Sequence, residues 1–288
     1  MIDCTFAHLP GIRRKGEIRL WHSHIISWRQ MIAHSNPHPH FTKKVWARSR
    51  KEIIQCQQAL EQKNFEFLAS QIPEEFHWRM IPDLWKGEET KILFLDIEMS
   101  GLDLTNDYIT SIATFDGQAP QYFVKNKNLD KFPRYLQKFS AICTFDGERA
   151  DIPFLQQNFG NNMYIPPIHF DLFSLSRRLH MHGGLKEIEE KFNLSRYNLK
   201  GISGESAIYL WKKFQSTQHQ KYLDTLLAYN LADVMFLPFL LQEFYNLLRR
   251  EAQLPSKPMN YQISPFKLPL KPDLDVVKEL KVLLEQAN

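Results

Sequence analysis

Asp96 and Glu98 stand two residues apart at the end of the apolar run Ile92-Leu93-Phe94-Leu95, and on an extended strand that spacing puts both carboxylates on one face. Two anions held so close repel each other unless a cation lies between them, and carboxylate oxygens suit hard divalent ions such as Mg²⁺ or Mn²⁺. The triplet alone is weak, because Asp-x-Glu arises about once by chance in a chain of this length. Its setting strengthens it: an apolar strand precedes it and the turn Ser100-Gly101-Leu102 follows. Asp151 comes after a second apolar run, Ala141–Phe145; it reads as the N-cap of the next helix, with Pro153 in its first turn, as a metal ligand, or as both. Tyr229 and Asp233 are four apart in a helical pattern, which places phenol and carboxylate on one helix face, as in many ordinary surface pairs.

The elements around these residues follow from periodicity. Ile92–Glu98 is the nearly continuous apolar run of a strand covered on both faces. Tyr108–Phe115 and Gln121–Val124 read as two more strands, with Asp116-Gly117 between them as a hairpin signal. Leu129–Phe139 is predicted helical, Ala141–Phe145 a strand, Ile152–Phe159 a helix, and His169–Leu172 a short strand entering a helix. Leu185–Phe192, Gly204–Phe214, His219–Leu231 and Val234–Leu248 are predicted helices. This order describes a mixed α/β sheet covered by helices. Residues 1–60 form a small all-helical N-terminal element with a loop at Ser35–His40, 61–90 a connector, 91–250 the sheet domain, and 251–288 a Pro- and Lys-rich extension closed by a helix over Asp273–Leu284.

The 288 residues are 43% hydrophobic and 13% aromatic, enough for a globular core, and the formal charge is only +4. Its distribution is uneven. Residues 1–51 carry ten Lys/Arg against Asp3 and Glu17, a formal +8, so the remainder is mildly acidic. That asymmetry points to polyanion capture at one end. Cys4, Cys56 and Cys143 are far apart and odd in number, which supports neither a disulfide framework nor a zinc ribbon and fits a reducing cytoplasm. No stretch reads as a membrane span and no signal peptide is expected. His34, His38 and His40 read as a polar loop or a metal site, Trp21 and Trp28 as core anchors, and Arg177 and Arg178 as substrate-backbone contacts or surface ion pairs.

Asp96, Glu98, Asp151, Tyr229 and Asp233, in that order, resemble the DEDD superfamily of 3′–5′ exonucleases, in the branch whose last motif is Tyr-x-x-x-Asp. More narrowly, the chain resembles the YprB-like family of ribonuclease H-fold exonucleases. The likeness runs through Leu9-Pro10-Gly11-Ile12, Glu17 and Leu20-Trp21, then Leu95–Leu102, then Thr144–Gly147 and Asp151–Leu155. It continues through Asp171-Leu172, Arg177–Leu179, Leu185-Lys186 and Gly201–Glu205 to Tyr229-Asn230 and Asp233-Val234.

The resemblance implies a ribonuclease H-like sheet and hydrolysis of phosphodiester bonds of DNA or RNA from a single-stranded 3′ end, with two Mg²⁺ or Mn²⁺ ions. It implies that Asp96 bridges both ions, that Glu98, Asp151 and Asp233 complete their shells, and that Tyr229 orients the attacking water, a phenol near pKa 10 being a poor base. Met99, Ser100 and Leu102 are expected at the terminal nucleotide, with Asp146 close by. Leu9–Trp21 looks like a helix-hairpin-helix element, with Gly11, Arg13, Arg14 and Lys15 meeting backbone phosphate; a helical packing subdomain with a solvated basic face is the alternative. Two residues depart from the pattern: Asp146 stands where Asn is usual, and Ala150 where an aromatic is usual. A third, Arg13, replaces the hairpin's second glycine. An extra carboxylate near phosphate leaves two other readings open, a nucleic-acid-binding protein with weak or lost catalysis and a structure-dependent endonuclease.

Overall fold

The computed structural model describes residues 2–86, 89–194, 204–261 and 269–287. Gly201, Ile202 and Ser203 of the resemblance, Gly87 and Glu88 of the connector, and residues 262–268 of the extension lie outside the described residues. The chain opens with a 3-10 turn, Ile2–Cys4, followed by α1 (Arg13–His22), α2 (Trp28–Ala33), α3 (Lys43–Glu61) and α4 (Phe65–Gln71). A 3-10 helix over Glu74–Met80, α5 (Ile81–Leu84) and a two-stranded ribbon, β1 (Trp85–Lys86) with β2 (Glu89–Thr90), lead to the main sheet. That sheet contains β3 (Ile92–Met99), β4 (Ile109–Phe115), β5 (Pro120–Val124), β6 (Ala141–Thr144) and β7 (Ile168–Asp171) in the order β5-β4-β3-β6-β7. β3, β4 and β5 pair antiparallel, while β6 and β7 continue parallel to β3. The helices around it are α6 (Phe132–Leu136), α7 (Asp151–Phe159), α8 (Leu172–Arg178), α9 (Leu185–Lys191), α10 (Gly204–Thr217), α11 (Gln220–Met235), α12 (Leu237–Glu251) and α13 (Leu274–Ala287). The protein is thus a mixed α/β sheet flanked by helices, with an N-terminal helical region.

Alternation along β3 divides the core. Leu93, Leu95 and Ile97 face one way, into a cluster with Phe132, Leu136, Phe154 and Leu155 of α6 and α7. Ile92 and Phe94 face the other way, into a cluster that also takes Leu231 and Val234 of α11, Leu240, Leu241 and Phe244 of α12, and the N-terminal helices. Asp96 and Glu98 continue this second stripe, so the carboxylates replace apolar residues just where the strand leaves the core. α11 is buried from Leu226 through Met235.

The segment 61–90 is not a loose connector. Phe65, Leu68, Trp78, Met80, Ile81, Leu84 and Trp85 are buried and belong to the same cluster as α1–α3 and the sheet. Glu17 and Arg79 hold this junction. Both are buried, with Arg79 Nη1 2.8 Å from Glu17 Oε1, and the same oxygen accepts the Phe6 and Ala7 N–H groups at 2.7 and 3.1 Å. Burial alone raises a carboxyl, yet the Arg79 charge and these hydrogen bonds hold Glu17 below its ordinary value. The run Gln220–Glu251, which spans α11 and α12, is long and apolar enough by length and composition to cross a membrane, but 83% of its most apolar window is buried inside the fold, as in a core helix.

Candidate metal centre

The end of β3 has a backbone problem that Asp151 solves. β6 pairs with β3 only as far as Phe94 and Cys143, which leaves the Ile97 N–H on that edge without a strand partner, and a buried N–H needs an acceptor. Asp151 Oδ1 accepts it at 3.0 Å. The carboxylate therefore does not cap α7: Ala150 precedes the helix without a side-chain cap, and Asp151 turns to the strand. From the other side α11 brings Asp233. Asp96, Glu98 and Asp233 each offer a carboxylate oxygen, and the three atoms lie within 4.8 Å of one another. Asp151 is outside that triplet, but its charge acts on Asp96.

The electrostatic cost shows in the titration of the site. Burial first, then the charges of Asp233, Asp151 and Glu98, push the Asp96 carboxyl well above its ordinary range, against a hydrogen bond from Asn230. Burial likewise pushes Asp151 to about 7, with the Ile97 N–H opposing and Asp171 and Asp146 adding to the rise. Converging oxygens that resist ionising together are a donor set for a hard divalent cation, so the residues fit the group expected of them.

Several residues that sequence reading gave no role complete the site. Asn230 Nδ2 donates to Asp96 Oδ2 at 2.7 Å and to the Asp96 carbonyl at 3.2 Å, while its Oδ1 accepts from Ser111 Oγ at 3.0 Å. Ser111 is opposite Glu98 in the β3–β4 register, so this chain of bonds joins α11 to two strands and orients Asp96. The Lys186 ammonium lies over the Tyr229 ring, 5.1 Å from its centroid. The signal for Asn230 was present, one residue after Tyr229, but only the fold reveals what it touches.

The expected substrate positions follow directly. Met99 and Ser100 are half-buried, while Leu102 is 78% exposed at the tip of the 100–108 loop. Asp107 builds that loop, accepting from Ser100 Oγ at 2.8 Å and from the Asp103 N–H at 2.9 Å. Gly101 is required there, because a Cβ would collide with the Asp107 carboxylate. The Ser100 hydroxyl is thus already directed to Asp107.

Asp146 has a backbone reason. Its φ is +66°, a conformation that Asn and Asp tolerate better than other side chains. Its carboxylate is held bidentately by Arg149, Nε to Oδ1 at 2.6 Å and Nη2 to Oδ2 at 2.7 Å, so the extra charge is balanced locally. Asp171 fixes the same turn, accepting the N–H groups of Asp146, Glu148, Phe173 and Ser174; sequence reading gave it no role.

The N-terminal expectations fare differently. Among the described residues only the 3-10 turn Ile2–Cys4 precedes α1, so a full helix-hairpin-helix is not formed. Gly11 has φ +84° and Arg13 adopts φ +49° without being glycine. Gly11, Arg13 and Lys15 are exposed. Arg14 is not available to phosphate in the same way: it pairs with Glu17 at 2.5 Å, bonds the Ala252 carbonyl and lies over Trp21. His38 bonds Ser23 and stacks with Trp46, and His34 packs on the same ring; no metal cluster forms there among the described residues. Trp21 and Trp28 are buried and donate to the Cys4 and Thr5 carbonyls. Arg178 bonds the Glu75 carbonyl at 2.8 Å, and Arg177 contacts His182 and the Phe173 ring.

Among solved structures, a family B DNA polymerase from the hyperthermophilic archaeon Pyrobaculum calidifontis is similar, with 15% identity over 56% of this chain and a TM-score of 0.42. The similar region spans 27% of that polymerase. No curated protein matches the chain. The family described as the RNase_H superfamily matches residues 93–245, just over half of the chain, from the second residue of β3 into α12, and this segment carries the acidic cluster. By that match, this chain belongs to the RNase H superfamily.

Proposed function

We propose that this protein is a divalent-metal-dependent 3′–5′ exonuclease of the DEDD type, hydrolysing DNA or RNA from a single-stranded 3′ end, and that it is YprB-like. The observation that carries the reading is the convergence of Asp96, Glu98 and Asp233 oxygens within 4.8 Å, drawn from two strand positions and one helix position far apart in the chain. Bound there, a pair of Mg²⁺ or Mn²⁺ ions would make water nucleophilic at neutral pH and stabilise the departing 3′ oxygen.

The chain's own residues do the rest. Asn230 holds the Asp96 carboxylate in one orientation, as partners of metal ligands do. Tyr229, four residues before Asp233 on α11, orients the attacking water. Asp151 ties the turn after β6 to β3, so the fourth acid moves with the strand that carries the first two. Exposed Leu102 meets the terminal base, with Met99 and Ser100 beside it. Pairing of Asp146 with Arg149 offsets part of the charge that argued against phosphate binding at this turn.

The test is degradation of 5′-labelled single-stranded DNA and RNA with Mn²⁺, Mg²⁺ or chelator, alongside Asp96→Asn. A metal-dependent ladder shortening from the 3′ end and absent in the variant is the expected result. Binding without cleavage in either metal refutes it, and internal products from a 3′-blocked strand assign endonuclease action instead.

A further inference from the structure

Far from the carboxylates, the opposite ends of the same strands frame a second cavity. From Ile92 to Glu98 β3 rises by roughly 20 Å, and at its beginning a crevice of about 710 Å³ opens between the sheet and the N-terminal helices. Lys63, just past α3, Lys86 on β1, Lys91 before β3 and Lys138 after α6 line it. All four are exposed, and none has an ion-pair partner among the described residues.

Four acids line the same crevice, and each is engaged elsewhere or subdued. Glu61 pairs with Arg29 at 2.9 Å and accepts from Gln57. Asp116 accepts the Gln118 and Ala119 N–H groups and the Tyr135 hydroxyl. Asp83 accepts the Ile2 N–H at 2.6 Å, and burial raises both it and Asp3 above the ordinary carboxyl range. Arg29 and the four lysines against these four acids leave the lining a formal charge of +1. Leu60, Leu84 and Phe139 supply apolar wall beside it, and the volume lies within the range of small-molecule sites, about 300–1,000 Å³.

We propose that this crevice is a second anion site that takes a phosphate-bearing nucleotide, either free or as part of a nucleic-acid strand. The lysines, none of them held in an ion pair among the described residues and Lys138 lying over the Tyr135 ring, supply the charge for the phosphates, and the apolar wall covers part of the base or sugar. The assignment does not depend on the carboxylate centre. It stands beside the anion capture expected of the basic N-terminal region, where Arg14, Arg29 and Arg48 pair with Glu17, Glu61 and Glu52 while Arg13 and Lys15 are exposed.

Fluorescence anisotropy in chelator tests it, with a dye-labelled nucleoside diphosphate and a short 5′-labelled DNA as probes, on the full chain and on the double variant Lys63→Asn/Lys138→Gln. Asn is chosen because Lys63 has φ +56° and Asn tolerates that region. Both lysines are exposed, so thermal unfolding should match the parent and report that the fold is intact. The variant is expected to bind at least one probe about tenfold more weakly, with a salt slope shallower by about 1.4 if a single-stranded DNA is the probe affected. Loss for the diphosphate alone identifies a free nucleotide, and loss for the DNA alone identifies a strand. Equal affinity of parent and variant for both probes overturns the proposal, as does a parent that binds neither at about 0.1 M salt.

Discussion

Replacing Asp151 by Asn should make the metal-free protein more stable at alkaline pH, although it removes a buried hydrogen-bonding acid from the site. The side chain accepts the Ile97 N–H through Oδ1, and an amide oxygen can do the same, so the change removes charge while keeping the bond. Burial raises Asp151 from 3.8 to about 7. At about 1.36 kcal/mol per pK unit that rise is worth about 4 kcal/mol. The folded state keeps its proton where the unfolded chain has lost it, so this contribution is complete below about pH 4 and is lost as pH rises through about 7. The parent therefore weakens on the way to pH about 8, and Asp151→Asn does not. For a chain of this size about 4 kcal/mol corresponds to roughly 5–10 °C in Tm. Thermal unfolding in chelator at several pH values measures it. Mn²⁺ should narrow the gap, stabilising the parent by about 2.7 kcal/mol at a hundredfold excess over Kd and the variant by less. A variant that unfolds earlier than the parent at alkaline pH in chelator refutes the account, because the fold would then need the Asp151 charge itself.

Arg79→Met leaves Glu17 buried without its main counter-charge and should cost about 3–5 kcal/mol in denaturant unfolding. Because Glu17 lies below its ordinary value in the fold, the pair stabilises above the unfolded carboxyl pKa and fades as pH falls through the folded one; the variant should lose that acid sensitivity. His8 is half-buried with both ring nitrogens enclosed, desolvation lowers it from 6.5 to about 4, and neither ring nitrogen has a hydrogen-bond partner among the described residues. The unfolded chain takes up the proton first, so up to about 3 kcal/mol should disappear between pH 6.5 and 4; His8→Phe should flatten that part of the stability curve, and an unchanged slope would sink the assignment. At the turn before α7, Asp146→Asn should leave cleavage intact and bind a labelled single strand at least as tightly as the parent, since it leaves the Arg149 charge unopposed. Arg149→Ala should weaken binding of a labelled single strand by exposing an uncompensated carboxylate beside the site, and an Asp146→Asn change on that background should restore it.

Local regularities were readable without any fold. The apolar run ending in Asp96 and Glu98 became β3 (Ile92–Met99), because a strand covered on both faces must be apolar on both. The Asp116-Gly117 hairpin and the alternation after it gave the antiparallel pair β4 and β5. Asp151 was harder. Sequence preference sees an Asp at a helix start and reads a cap, whereas the structure places its oxygen on the Ile97 N–H, a donor that is free only because β6 stops short. The 61–90 segment looked like a connector since its helices are short and broken by Pro73 and Pro82, too short to show a period; Trp78, Met80 and Trp85 are nonetheless buried.

What spacing along the chain settles is what neighbours within one element share: Asp96 with Glu98 on a strand face, Tyr229 with Asp233 on a helix face. What it leaves open is everything that depends on which elements meet. Asn230 against Asp96, Lys186 over Tyr229, Arg79 on Glu17 and the lysines gathered at the foot of β3 all follow from packing. A charge or hydrogen bond acts over a few ångströms in space, and residues 96 and 230 come within that range only when α11 closes over the sheet.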